Sequence, residues 1–280
     1  MLEELIDALL YEGYALYPYT PGAAKNATPT PFGILYPTGY AGIHPATFDH
    51  LRMDVGLVPA PDATVQAEVR FLQARKPGND ERGIERRAEL PPTPLAELRG
   101  DGVGAEFAFD GLTGRIRMRA EVVNDQLARL RVCVHNTTPL ASPEAAGRGR
   151  ALESSLISTH PIARAPGSRF LPATDHPEWP SVNTFPVLAT PEDDTVLGAA
   201  IVLPDHPQIA PESRGSLFDG TEIEEALLLH VHTLSDPERA AIAEGDPAVR
   251  AMVERAVATT PEDMLRLHGR LELRDPVEGA

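Results

Sequence analysis

The chain is expected to be mainly β, an antiparallel sandwich or open-barrel-like domain with a short α-helical C-terminal segment, α+β overall. Three observations predict this. Between Thr64 and His135 apolar and polar residues alternate in short runs separated by turn residues, the period-2 pattern of half-buried strands. Proline numbers 28 of 280 residues, about twice its usual share, and interrupts both helices and inner strands. After Leu234 the punctuation changes. Asp236-Pro237, Asp246-Pro247 and Thr260-Pro261 each set a capping residue before a proline, and Gly245 and Gly269 stand where helix C-terminal glycines belong. The expected division is a β-rich domain over 1–235 and a helical segment over 236–280.

Leu2–Leu10 predicts a short helix. Tyr11–Thr20, YEGYALYPYT, holds four of the six tyrosines and is expected as an aromatic strand, which Pro18 requires to be an edge strand or to end before it; an extended run sets Tyr17 and Tyr19 on one face and Tyr14 on the other. Pro21–Pro31 is turn-rich, and Phe32–Tyr36 is a short apolar run. Thr64–Arg75 places Val65, Ala67, Val69 and Phe71 on one face of a strand. Lys76–Arg87 is expected as a charged loop, and Ala105–Phe109 as another strand.

The clearest element is a hairpin, Arg115–Val123 returning through Asn124-Asp125 to Gln126–His135. In it Ile116, Met118, Ala120 and Val122 are answered by Ala128, Leu130, Val132 and Val134. Thr138–Gly149 predicts an exposed loop, and Arg150–His160 a further strand. Arg169–Trp179 and Thr184–Thr190 are broken by prolines, and Val196–Leu203 is an apolar strand. Glu225–Leu234 is the last β element before three short helices, Pro237–Glu244, Pro247–Ala258 and Pro261–His268.

A net charge of −16 argues against a nucleic-acid partner, which needs clustered basic residues to displace counterions. Arg115, Arg117 and Arg119 alternate with Ile116 and Met118, the wet face of a strand. The one cysteine, Cys133, lies in the mostly apolar run Leu130–Val134 and is expected as a small core residue. It excludes an intrachain disulfide and a cysteine-based zinc or iron–sulfur site. MLEELIDALL lacks the basic stretch of a signal peptide, and no apolar run approaches the ~20 residues of a membrane span. A cytoplasmic location without a membrane span follows as the expectation.

Leu203–Leu234 is the densest run of chemically capable residues. Asp205, His206, Glu212, Asp219 and Glu222 crowd one proline- and glycine-stiffened loop, candidates for binding a partner or a cation. His230 and His232 are two apart, so on a strand their imidazoles share one side and suit one metal ion. Thr221-x-x-Glu224 is a capping-box pattern that would instead start a helix. Asp175-His176-Pro177 recurs as Asp205-His206-Pro207, and pre-proline residues, His44 and His160 among them, favour rigid extended turns. Tyr14, Tyr17 and Tyr19 offer a stacking surface, and with Trp179 a sugar-binding face. No P-loop, G-x-S-x-G, H-E-x-x-H or C-x-x-C motif is present, so no cofactor is expected beyond a metal at His230 and His232.

YEGYALYPYTPGAAKN (Tyr11–Asn26) together with DHPQIAPESRGSLFDGTEIEE (Asp205–Glu225) resembles an uncharacterised family associated with actinobacterial NiFe uptake hydrogenase gene clusters. SLISTH (Ser155–His160) and MLRLHG (Met264–Gly269) add to the similarity. The chain departs from the pattern after Asn26, at ATPTPFGILYP, and at His230 and His232. The resemblance implies an accessory, non-catalytic role in hydrogenase assembly, maturation or complex formation, through a protein partner that is a hydrogenase subunit or maturation factor. It carries over no catalytic residue. The alternative is a metal-dependent enzyme that uses the His230/His232 pair and loop carboxylates.

Overall fold

The computed structural model describes residues 2–16, 33–75 and 82–208, with Ser235, Arg250, Ala251, Glu254, Val257, Ala258 and Thr260. The described residues form ten strands in two five-stranded sheets, and the mainly β expectation holds. The first sheet has the order β4-β5-β6-β1-β8, from β4 (Val103–Phe109), β5 (Leu112–Asn124), β6 (Leu127–Asn136), β1 (His50–Val58) and β8 (Arg169–Phe170). The second has the order β3-β2-β7-β10-β9, from β3 (Arg82–Pro94), β2 (Thr64–Arg75), β7 (Ile157–Arg164), β10 (Thr195–Ala199) and β9 (Phe185–Leu188). Every strand pairing within them is antiparallel.

The sheets face each other across one apolar core. Leu51, Met53, Val55 and Leu57 of β1, Ile116 and Met118 of β5, and Leu130, Val132 and Val134 of β6 meet Val65, Ala67, Val69 and Phe71 of β2. Alternation alone assigns these side chains inward, because successive residues on a strand point to opposite faces. The predicted hairpin has the expected register, Ile116 opposite Val134, Met118 opposite Val132 and Ala120 opposite Leu130. Phe71 closes one end of the core, its ring centroid 5.7 Å from that of Phe107 and 6.0 Å from that of Phe109.

Helix α1 (Leu2–Leu16) packs on the outer face of the second sheet. Leu5, Ile6, Leu9 and Leu10 recur at the spacing that keeps one helical face apolar, and they bury against Leu72, Ile157, Ile162, Val187 and Leu197. Arg70 of β2 pins its first turns, with Nη1 2.8 Å from Glu3 Oε2, Nη2 on Asp7 and Nε 2.7 Å from Glu85 Oε1 of β3. Burial alone would lower the Arg70 pKa. The hydrogen bonds to Asp7 and Glu85 outweigh it and hold the guanidinium above its ordinary value.

Buried Glu68, beside Arg70 on this face, takes Arg164 Nη1 at 2.6 Å and also pairs with Arg87. Pro161 stands inside a central strand, where a missing N–H is normally excluded. It sits beside the Arg70/Leu72 register shift, and Gly198 of β10 makes room for it: a Cβ there would lie 2.6 Å from Pro161 Cγ.

Several expectations are corrected. The tyrosine-rich run does not begin as a strand, because α1 continues to Leu16 and carries Tyr14. The apolar stripe of the helix docks on the sheet, and the first strong stop is Pro18, which disfavours helical geometry at Tyr17. Arg150–His160 is not one strand. After the four-residue α2 (Thr38–Ala41), Arg148–Glu153, with the helix formers Arg, Ala, Leu and Glu, makes the short helix α3, and β7 starts at Ile157. The expected charged loop is already strand from Arg82, since Glu85 and Arg87 find partners on β2. His160 lies within β7 and not in a turn. The strand β1 was not foreseen. Of the second C-terminal helix, Arg250, Ala251, Glu254 and Val257 are helical. The Glu225–Leu234 β element and the other two predicted helices lie outside the described residues.

Candidate functional site

The two outer faces of the sandwich differ. That of the second sheet lies under α1. That of the first carries no helix among the described residues, and its outward positions are crowded with arginine. These are Arg52 of β1, Arg129 and Arg131 of β6, and Arg115, Arg117 and Arg119 of β5, six in all, facing the carboxylates Asp54, Asp101, Glu106 and Glu121. They share one face because their neighbours in sequence, Leu51, Met53, Ile116, Met118, Leu130 and Val132, are committed to the core.

Register brings them together. Asp54 opposes Arg131, and Arg131 opposes Arg119; Arg52 opposes Cys133, and Cys133 opposes Arg117; His50 opposes His135, and His135 opposes Arg115. Asp54 anchors one side, its side chain fully buried. Arg129 Nε and Arg131 Nε lie 2.7 and 2.8 Å from its Oδ1, and Arg52 Nε lies 2.8 Å from Oδ2. Arg52 also donates to the Pro180 carbonyl at 2.8 Å, and Arg129 stacks its guanidinium 5.3 Å over the Trp179 ring, itself stacked on His176 at 4.1 Å. The segment around Trp179 therefore borders the face on the β1 side.

Beyond Asp54 a pocket of about 230 Å³ opens over β5 and β6, lined by Asp101, Arg115, Arg117, Arg119, Arg131, Cys133 and His135. Arg117 and Arg119 are exposed. Arg117 donates to the Asp101 carbonyl at 3.1 Å, while Arg115 Nε is buried with no hydrogen-bond partner. Gly102 lets the β4 end close on β5. Its φ is +67°, and a Cβ there would collide with the Met118 carbonyl.

Burial raises the Cys133 thiol pKa, an effect that nearby Arg131 partly opposes. The His135 pKa is lowered, by burial first and then by stacked His50 and Arg115. His50 is itself held by Asp49, Nδ1 to Oδ1 2.7 Å. Near neutral pH the pocket thus carries its positive charge on guanidiniums.

Cys133 is accordingly not a core residue. It is half-buried and points outward between Arg131 and His135. The inward orientation of Val132 and Val134 requires this, and that alternation was the signal for it.

Of the candidate residues in the 203–234 stretch, Asp205 and His206 are described, and both serve the end of β9. Asp205 Oδ1 accepts from the Leu188 N–H at 2.8 Å, and the His206 N–H donates to the Leu188 carbonyl at 2.7 Å. The His206 ring pairs with Asp193 at 2.7 Å, not with its neighbour Asp205, and His176 pairs with Glu178 at 2.9 Å. Tyr14 is on α1. Tyr17, Tyr19, Glu212, Asp219, Glu222, His230 and His232 lie outside the described residues. Among the described residues no group of three His, Cys, Asp or Glu side chains is placed to hold a metal, and no helix is long and apolar enough to cross a membrane.

Compared with protein-family models, with curated proteins and with solved structures, the chain matches none of them.

Proposed function

We propose that the protein is an accessory, non-catalytic binding module whose arginine face on the first sheet docks an acidic surface of a protein partner. The observation that carries this reading is the asymmetry of the sandwich: one outer face is covered by α1, and the other presents six arginines, with Arg117 and Arg119 exposed. Arginine suits such a surface, because its planar fork makes paired, charge-assisted hydrogen bonds to carboxylates. Trp179 adds an aromatic anchor at the border, and aromatic and arginine side chains dominate interface energetics. The resemblance to the hydrogenase-cluster family supports a hydrogenase subunit or maturation factor as the partner, with the cytoplasm as the location.

The test is affinity capture from a hydrogenase-expressing host with the full chain as bait, alongside the Arg115→Glu/Arg117→Glu/Arg119→Glu variant. The expected result is recovery of a hydrogenase or maturation protein by the wild type and its loss with the variant. Recovery of no such protein, together with normal hydrogenase activity in a deletion strain, overturns the hydrogenase assignment. Equal recovery by the variant overturns the docking face.

A further inference from the structure

We infer that the pocket lined by Arg115, Arg117, Arg119, Arg131, Cys133 and His135 is a binding site for a free phosphate-class oxyanion. The inference concerns the same face as the proposed docking surface, but it rests on the pocket alone.

Four guanidiniums converge on this space, and its lining carries one carboxylate, Asp101. Glu106 is the cross-strand neighbour of Arg115, yet its carboxylate does not accept from Arg115 Nε. Arg131 spends Nε on Asp54, and Arg117 spends one Nη on the Asp101 carbonyl. Arg115 has a buried Nε without an acceptor. A buried donor left unmade is costly, and more so when it is charged. The array therefore holds donors in excess of its acceptors, the condition that an incoming anion relieves.

Size narrows the ligand. About 230 Å³ falls below the ~300–1,000 Å³ typical of organic-ligand sites. The lining also lacks the large apolar side chains that grip a cofactor. A small oxyanion with a few waters fits this space. Charge selects further. A carboxylate brings one charge and two oxygens, whereas phosphate brings about 1.5 to 2 charges near neutral pH and at least three acceptor oxygens, enough to engage several forks at once. Cys133 is a bystander at the pocket wall, and its thiol supplies a reporter because it is the chain's one cysteine.

The experiment follows alkylation of Cys133 by iodoacetamide in the full chain, by mass spectrometry, with inorganic phosphate titrated against sodium chloride and sodium acetate at matched ionic strength. With phosphate at about ten times its Kd the rate is expected to fall about tenfold, following the free fraction of the site. Chloride and acetate are expected to leave it nearly unchanged. Arg115→Gln/Arg119→Gln is expected to abolish the phosphate effect, as is Arg117→Gln in part, while Arg150→Gln on α3 retains it. The unfolding midpoint of each variant shows that it is folded. Equal protection by acetate or chloride, or undiminished protection in the double variant, overturns the site. If partner capture persists while phosphate protects nothing, this inference alone fails. If phosphate protects and no partner is captured, only the docking reading fails.

Discussion

His160 Nδ1 lies 3.1 Å from the carbonyl oxygen of Gly198, deep beneath α1. That oxygen can only accept, so Nδ1 carries the proton. Nε2 sits 3.2 Å from Ser158 Oγ, which in turn lies 3.0 Å from the Leu9 carbonyl of α1. The imidazole is fully buried, and burial outweighs the hydrogen bonds that favour its charged form, lowering its pKa to about 4.

Acid should therefore loosen this joint between α1, β7 and β10. With a folded pKa below the unfolded one, the unfolded chain binds the extra proton between pH 6.5 and about 4. The stabilisation is complete above pH 6.5, falls as pH drops through that window and flattens below it, a total of roughly 3 kcal/mol. Urea midpoints at pH 7.5 and 4.5 measure it. The wild type should lose more over this interval than a folded His160→Gln variant, and equal losses would show that His160 does not carry the effect.

Asp54 should be the keystone of the arginine face. In Asp54→Asn, Arg52, Arg129 and Arg131 lose the one carboxylate they share. Breaking a fully buried pair costs ~3–5 kcal/mol, and these guanidiniums keep some water, so roughly 2–3 kcal/mol is expected. Chemical denaturation checks this. A change near zero would mean the arginines are held by their strands alone.

Arg70→Met should free the first turns of α1 without unfolding the sandwich. Its partners Glu3 and Asp7 are well exposed, so screening limits the loss to about 1 kcal/mol. Amide hydrogen exchange in α1 should then quicken about fivefold, with the amides of β5 and β6 unchanged.

Phe71→Ala should be far costlier, at about 3–5 kcal/mol. The ring is fully buried and shares its site with Phe107 and Phe109, on the opposite sheet. Thermal unfolding reads this directly.

The β5–β6 hairpin was legible because every second residue is apolar from Ile116 to Val122 and again from Ala128 to Val134, and one short turn joins its halves. Strand β1 carries the same alternation in Leu51, Met53, Val55 and Leu57, but no tight turn ties it to a neighbour in sequence, since β6 pairs with it from more than seventy positions away. The Tyr11–Leu16 part of the tyrosine run is helical because β propensity is only a local preference, whereas the docking of Leu5, Ile6, Leu9 and Leu10 settles the state of α1. Arg115, Arg117 and Arg119 were recognisable as one wet strand face. Their meeting with Arg131 and Cys133, and the convergence of Arg52 and Arg129 on Asp54, depend on register across three strands, which residue spacing does not encode. Asp205 and His206 stand out in the sequence as candidates for binding a partner or a cation, yet their polar atoms complete the hydrogen bonding of a short edge strand.

The arginine face sits on a chain whose net charge is −16, and the two act over different ranges. In ~0.01 M salt, where charges are felt over about 30 Å, an acidic partner meets the whole molecule and is repelled. At physiological salt the reach shrinks to about 8 Å, and a partner close to the first sheet senses mainly the arginines. Association with an acidic partner should therefore quicken as salt rises from very low values and slow again at high salt. Such a maximum reverses the usual monotonic decline and makes the collision itself selective for orientation.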